Sequence, residues 1–199
     1  MPCPGAGLPV FLTGANAGRA WLSDPRGSVR IVKWSEFSSV CPELADIGQR
    51  RLEEPHLCLI GTLRFDGWPR ISPVEPYLTD GELMIGVMTG SRKAADLLRD
   101  PRLVVHSIVT RWEADEGDLK LYGTAQPVTA PEPRETLFRA MAEAHGWPSL
   151  PRLAEDPGYH VFRVAIERAA YVRFDGSSWQ DWTWDPRSGL RKRSREEFT

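Results

Sequence analysis

The chain has 199 residues, of which 41% are hydrophobic and 26% are charged. This composition is typical of a folded globular protein, and the length suits one domain. A formal net charge of −2 excludes a general electrostatic attraction to nucleic acid or to an anionic membrane, and no segment approaches the roughly 18 apolar residues that span a bilayer.

The first 33 residues are rich in Gly, Pro and Ala and predict a loosely ordered extension. Their apolar run at 8–12 follows no Lys or Arg and is interrupted by Pro9, so we expect no export signal. Cys3, Cys41 and Cys58 are widely spaced and form no Cys-x-x-Cys pair. We therefore expect free thiols, no metal site and a cytoplasmic location.

Alternating and periodic apolar patterns predict three helices and seven strands after residue 33. The predicted helices cover residues 42–52, 91–100 and 129–144. The predicted strands cover residues 56–64, 70–77, 82–88, 103–111, 119–126, 160–174 and 179–184. The links are too short for the crossovers of a parallel sheet, so the pattern favours a small antiparallel barrel with helices at its corners.

Two neighbouring segments predict a site for an anion. The strand that begins with residues 70–74 (RISPV) is followed by residues 88–93 (MTGSRK), where the next strand leads into a helix. A helix start offers free N–H groups and Ser91 is a good N-cap, while Arg92 and Lys93 oppose the helix dipole unless an anion is present. The alternative is that both cations are solvated and neutralise nearby acids.

The strand at 70–77 has the features of a sheet edge. Pro73 and Pro76 cannot donate to a β-ladder, which leaves amides beside Ser72 and Val74 available to the polar rim of a planar ring. The alternative interpretation is an edge strand protected against aggregation.

These residues resemble a known family. LIGTLRFDGWPRISPVEP at 59–76 and DGELMIGVMTGSRKAADLLRDPR at 80–102 are similar to the split-barrel flavin-binding proteins related to pyridoxamine 5'-phosphate oxidase, a group that includes users of the deazaflavin F420. The resemblance runs from residue 34 to 189. It implies a mainly β fold: an antiparallel, Greek-key-like split β-barrel of the FMN-binding type with peripheral helices. The domain would cover residues 34–189 and be followed by a polar tail at 190–199.

The resemblance also implies the cofactor site. Ser91, Arg92 and Lys93 would hold the cofactor phosphate, and the segments at 70–74 and 87–89 would line the ribityl chain and ring. The full set of predicted cofactor-binding residues is Arg70, Ile71, Ser72, Pro73, Val74, Val87, Met88, Thr89, Ser91, Arg92 and Lys93. In the family the cofactor lies at a dimer interface, so the expected partners are a second copy of the chain and a small-molecule substrate, with no nucleic acid and no membrane.

The sequence departs from the true oxidase in its substrate residues. Glu75 stands where the oxidase has a Lys that contacts the substrate phosphate, and the oxidase's C-terminal Trp and Arg-Leu pattern is not found. A carboxylate at this place repels pyridoxamine phosphate, so we expect a different substrate.

Other chemically capable residues have structural explanations. His106 and His160 lie in strands, and His145 lies at a helix end where a cation is favourable, so we assign no histidine a catalytic role. Three tryptophans at 179–184 suggest packing or a cover over the cofactor. The basic run at 191–193 suggests a solvated end.

The sequence thus predicts an FMN-dependent oxidoreductase that works as a homodimer. Three alternatives remain open: an F420-dependent reductase, a non-catalytic carrier or sensor for flavin or haem, and a structural module.

Overall fold

The computed structural model describes residues 30–110, 115–149 and 152–196. Its helices are α1 Trp34–Val40, α2 Pro42–Glu53, α3 Arg92–Arg99 and α4 Pro131–Ala144, with a short 3₁₀ turn at Arg152–Glu155. Its strands are β1 Cys58–Leu63, β2 Pro69–Val74, β3 Pro76–Thr79, β4 Glu82–Val87, β5 Arg102–Ser107, β6 Asp118–Pro127, β7 His160–Phe174, β8 Ser178–Asp185 and β9 Gly189–Glu196.

Antiparallel pairing joins all nine strands into one sheet. Its main path runs β2-β1-β5-β6-β7-β4-β3, with β8 paired to the second half of β7 and β9 paired to β8. The two ends of the main path, β2 and β3, are consecutive in the chain and separated by Glu75 alone. The sheet must therefore curl so that its ends approach, and the architecture is the predicted mainly β, antiparallel split barrel with peripheral helices.

The single strand predicted at 70–77 is two strands in the structure, β2 and β3. Its first part pairs with β1 and its second part with β4, and the break falls at Glu75 between Val74 and Pro76. Pro73 and Pro76 lie on the two ends of the main path, as the absence of their N–H groups predicts. The chain thus passes from one sheet edge to the other at Glu75.

The apolar residues form two cores. The larger one fills the barrel and is covered by α1 and α2, with fully buried side chains such as Phe37, Ile60 and Leu121. The smaller one lies under α4, where Leu137 and Met141 pack with Tyr77 and Tyr159. The interior is thus built from the alternating inward residues of the strands.

A backbone irregularity shapes the long β6–β7 pair. The register between these strands shifts at Tyr122 and Gly123. A Cβ atom on Gly123 would lie 1.9 Å from the carbonyl oxygen of Ala165, so the bulge requires glycine at this close backbone approach.

The segments at the two ends of the predicted domain carry β-structure that the sequence did not signal. The basic segment expected as a solvated tail forms β9, whose residues up to Glu196 pair with β8. Val32, placed in the loose extension, is buried and bridges to Ile166. The rest of the extension, residues 1–29, lies outside the described residues, and the predicted domain boundaries stay predictions.

Helix α1 was also missed, since its seven residues are too few to show a period. Two of the three tryptophans after Ser178 pack against other rings: Trp184 is buried against Phe37 with ring centroids 4.8 Å apart, and Trp182 lies 5.9 Å from Tyr171. Trp179 is 40% exposed. None of the described helices has both the length and the apolar character needed to cross a bilayer.

Candidate functional site

Helix α3 begins where the sequence predicts an anion site. Ser91 is its N-cap and its Oγ accepts a hydrogen bond from the Ala94 N–H at 3.3 Å. Gly90 before it has a φ of 72°, a left-handed conformation that glycine adopts without strain. The first turn of α3 contains no acidic residue, so its free N–H groups, Arg92 and Lys93 present an uncompensated positive end.

Lys93 links this helix to the edge strand. Its Nζ donates a hydrogen bond to the carbonyl oxygen of Pro73 at 2.8 Å. Burial lowers the pKa of Lys93, because the ammonium is partly removed from water. An anion at the start of α3 would compensate that cost of burial. Because Lys93 contacts Pro73, the start of α3 and strand β2 form one surface.

Apolar side chains lie exposed on the same elements. Ile71 on β2 is 72% exposed and Met88, between β4 and α3, is 62% exposed. Large exposed apolar side chains near an anion site suit a ligand with a phosphate at one end and a flat ring at the other. The residues present therefore fit FMN.

The predicted cofactor residues do not all have free side chains. Val87 is fully buried in the larger core, so its side chain is not available to a ligand. Arg70 is held by Asp96, with its Nε 2.6 Å from Oδ2. Thr89 donates a hydrogen bond to Asp156 at 2.5 Å. Val74 is buried in the same core, whereas Ser72 is half-buried and Pro73 is exposed on β2. Arg92 and Lys93 are the two cations in the first turn of α3.

A loop far along the chain supports the segment before α3. Asp156 accepts the hydrogen bond from Thr89 and also one from the N–H of Gly158 at 2.8 Å. These contacts lower the pKa of Asp156. A Cβ atom on Gly158 would lie 2.5 Å from the Cγ2 of Thr89. The tight approach and the hydrogen bonds fix the position of Thr89, a role that no sequence motif signals.

A cleft of about 400 Å³ opens next to this surface. It lies at the point where the chain passes from β2 to β3 and extends to the end of α4. Its lining consists of Leu57, Pro73, Val74, Glu75, Tyr77, Gly86, Met88, Met141, His145, Trp147 and Tyr159. Pro73, Val74 and Met88 belong both to this lining and to the predicted cofactor site.

The polar groups of the cleft converge on Glu75. Its Oε2 accepts hydrogen bonds from the Tyr77 hydroxyl at 2.6 Å and from His145 Nε2 at 3.1 Å. Burial acts to raise the pKa of Glu75, but these two hydrogen bonds outweigh it and the pKa lies below its usual value. Glu75 is therefore a carboxylate at neutral pH.

Aromatic rings complete the wall of the cleft. The His145 ring stacks on Trp147 with centroids 4.5 Å apart and an angle of 15° between planes. The His56 ring, outside the cleft lining, forms a T-shaped contact with Tyr77 at 4.8 Å between centroids. Sequence reasoning assigned His145 only to a helix end, and it missed this cluster because Glu75 and His145 are 70 positions apart.

Comparison with known proteins agrees with this architecture. A sequence profile described as pyridoxamine 5'-phosphate oxidase matches residues 47–173, well over half of the chain. The chain belongs to the pyridoxamine 5'-phosphate oxidase family. No curated protein sequence matches the chain significantly.

Solved structures share the fold at low identity. A Clostridium acetobutylicum protein related to general stress protein 26 of B. subtilis superposes with a TM-score of 0.55 at 17% identity, over 73% of this chain and 96% of its own. A pyridoxamine 5'-phosphate oxidase-related, FMN-binding protein from Nostoc punctiforme gives 0.55 at 12% identity, over 79% and 96%. A heme-binding protein from Mycobacterium smegmatis gives 0.50 at 18% identity, over 75% and 57%. The family fold therefore includes structures of both FMN-binding and haem-binding proteins.

Proposed function

We propose that the protein is a cytoplasmic, homodimeric oxidoreductase that binds FMN and acts on a small molecule. The observation that carries this proposal is the cationic start of α3 joined to the edge strand β2 through the contact between Lys93 and Pro73. FMN, when bound, exchanges electrons with a substrate as a hydride. The buried, unpaired thiols of Cys41 and Cys58 agree with a reducing compartment.

Each group of the surface has a distinct task in this proposal. Arg92, Lys93 and the N–H groups left free at the start of α3 bind the phosphate. The exposed side chains of Ile71 and Met88 cover the ring, and the backbone from Ser72 to Val74 contacts its polar rim. Thr89, held by Asp156, fixes the loop between ring and phosphate.

The test is a titration of the purified protein with FMN and with F420, followed by fluorescence. Arg92→Ala removes one charge-assisted contact with phosphate and is expected to weaken FMN binding by about 10- to 100-fold. Arg139→Ala is the matched control, since it removes an exposed cation on α4 that pairs with Glu135. Equal FMN affinity in both variants and the wild type contradicts the proposed phosphate site. Tight binding of F420 without binding of FMN would show that the cofactor is F420.

A second copy of the chain is proposed to complete the site. Phe65 and Trp68, on the turn between β1 and β2, are largely exposed together with Ile71, and exposed apolar groups of this size mark association surfaces. The measurement is the molar mass in solution by light scattering. Trp68→Lys is expected to shift the protein towards monomer and to weaken FMN binding. A wild type that is monomeric in solution and still binds FMN tightly contradicts the proposed dimer.

The second candidate function is non-catalytic binding of haem. It is favoured by the placement of His145 and Met88, both residue types that ligate haem iron, in the lining of one largely apolar cleft. Titration with haem decides between the candidates. A Soret band that forms with the wild type but not with His145→Ala supports haem binding, whereas FMN binding with no Soret band on addition of haem supports the flavoprotein.

A further inference from the structure

The cleft at the β2–β3 junction has one carboxylate with a free oxygen. Tyr77 and His145 both contact Oε2 of Glu75, while no hydrogen bond to Oε1 occurs within the described part of the chain. Oε2 is thus held in place by two donors. Oε1 keeps its capacity to accept a hydrogen bond from a ligand.

The charge of the cleft favours a cation. Glu75 is ionised at neutral pH, and the lining residues include no lysine and no arginine. His145 and His56 are the other titratable groups with basic side chains near this carboxylate, and the Tyr77 and Tyr159 hydroxyls are neutral because burial raises their pKa values, that of Tyr159 to about 12. Lys93 lies at the edge of the cleft, where it donates to the Pro73 carbonyl, but none of the lining residues would give a phosphate or carboxylate ligand a lysine or arginine partner at Glu75.

The walls of the cleft favour a flat apolar body. Met88, Met141 and Leu57 supply apolar surface, and Trp147 and Tyr159 supply aromatic surface. Aromatic faces attract cations as well as planar rings. The volume of about 400 Å³ lies in the range of small-molecule sites.

We propose that this cleft binds a planar aromatic compound with a cationic nitrogen, which donates a hydrogen bond to Oε1 of Glu75. This inference rests on the proposed function in one respect, namely that the compound is the substrate of the bound FMN. Pro73 and Met88 belong to both the cleft and the proposed cofactor site, so the compound would lie beside the cofactor ring. Glu75 determines specificity through its charge. Tyr77 and His145 act as positioning residues that hold the carboxylate.

The experiment compares three probes of the same shape. Benzamidine is cationic, benzamide is neutral and benzoate is anionic, and their affinities are measured by calorimetry with and without FMN. We expect benzamidine to bind at least about tenfold more tightly than benzoate. Benzoate binding as tightly as benzamidine overturns the proposal.

Glu75→Gln keeps the shape and an acceptor oxygen but removes the charge. It is expected to weaken benzamidine binding by about tenfold while benzamide stays within about twofold. Glu143→Gln is the matched control, because this exposed carboxylate lies on α4 outside the cleft lining. No change for benzamidine in Glu75→Gln also overturns the proposal.

A third variant tests the aromatic wall. Trp147→Leu is expected to weaken the binding of benzamidine and of benzamide alike. Unchanged binding of both probes would contradict the proposed contact between the ligand and the aromatic wall. The FMN affinity of all three variants is measured in parallel and should match the wild type. Probe binding without FMN binding would refute the flavoprotein proposal alone, and FMN binding without charge-selective probe binding would refute the cleft proposal alone.

Discussion

The ion pair between Arg70 and Asp96 joins β2 to α3 and gives a sharp test of the structure. The Asp96 side chain is 5% exposed and lies 2.6 Å from Arg70 Nε. It also accepts a hydrogen bond from Thr62 Oγ1 at 3.1 Å and lies 3.5 Å from Arg99. Arg70→Met keeps most of the apolar stem and removes the charge, so a buried carboxylate loses its nearest cation.

The expected loss of stability follows from this geometry. Removal of one partner from a buried pair costs about 3–5 kcal/mol. Arg70 is 24% exposed and Asp96 retains Thr62 and Arg99, so we expect the free energy of unfolding to fall by about 2–3 kcal/mol at neutral pH. Arg99→Met is the control, since its longer and more exposed contact with Asp96 should contribute less than about 1 kcal/mol.

The effect should depend on pH in one direction. Burial acts to raise the pKa of Asp96, but Arg70 and Thr62 outweigh it, so the pKa is lower in the folded protein than usual. A lowered pKa stabilises the fold above the unfolded value of about 3.9, and this contribution is lost as pH falls through the folded pKa. In Arg70→Met the lowering is reduced, so the variant should approach the wild type only as the pH falls below about 4 and through the folded pKa of Asp96 in the wild type.

Urea unfolding followed by circular dichroism at several pH values measures this difference. A loss below about 1 kcal/mol at neutral pH, or a loss that does not change with pH, would refute the buried ion pair. Because Arg70 has this structural role, weaker FMN binding in an Arg70 variant has two explanations. Arg92 is therefore the better residue for testing the cofactor site.

Three further substitutions test the fold. Gly123→Ala puts a Cβ atom against the carbonyl oxygen of Ala165 and should destabilise by about 3 kcal/mol or more in urea unfolding, and a near-neutral result would contradict the bulge. Leu121→Ala empties a fully buried position of the barrel core and should cost about 2–5 kcal/mol in the same assay, whereas less than about 1 kcal/mol would place it outside the core. Ser91→Ala removes the cap on the Ala94 N–H and should lower the free energy of unfolding by about 1 kcal/mol without FMN. The measurement is the shift of the thermal midpoint, and a midpoint equal to that of the wild type would argue against the cap.

Local chemistry made much of the fold predictable. Ser91 and Pro101 bracket α3, the prolines at 73 and 76 mark edge strands, and the strand predicted at 160–174 matches β7 along its whole length. Each of these signals acts within a few residues through capping, a missing N–H or the run of apolar and β-branched residues typical of a strand. The candidate phosphate residues were found in the same way, since Ser91, Arg92 and Lys93 are consecutive.

The cleft and its chemistry depended on contacts between distant segments. Glu75 meets His145 because the chain crosses from one sheet edge to the other at Glu75 while α4 packs over β3. Arg70 meets Asp96, and β9 forms because β8 offers a free edge to a basic segment that shows no apolar alternation. The sequence by itself determined three of the helices, most of the strands and the cationic start of α3. Only the tertiary structure decided which polar groups face one another, because such pairs are selected by packing and carry no local pattern.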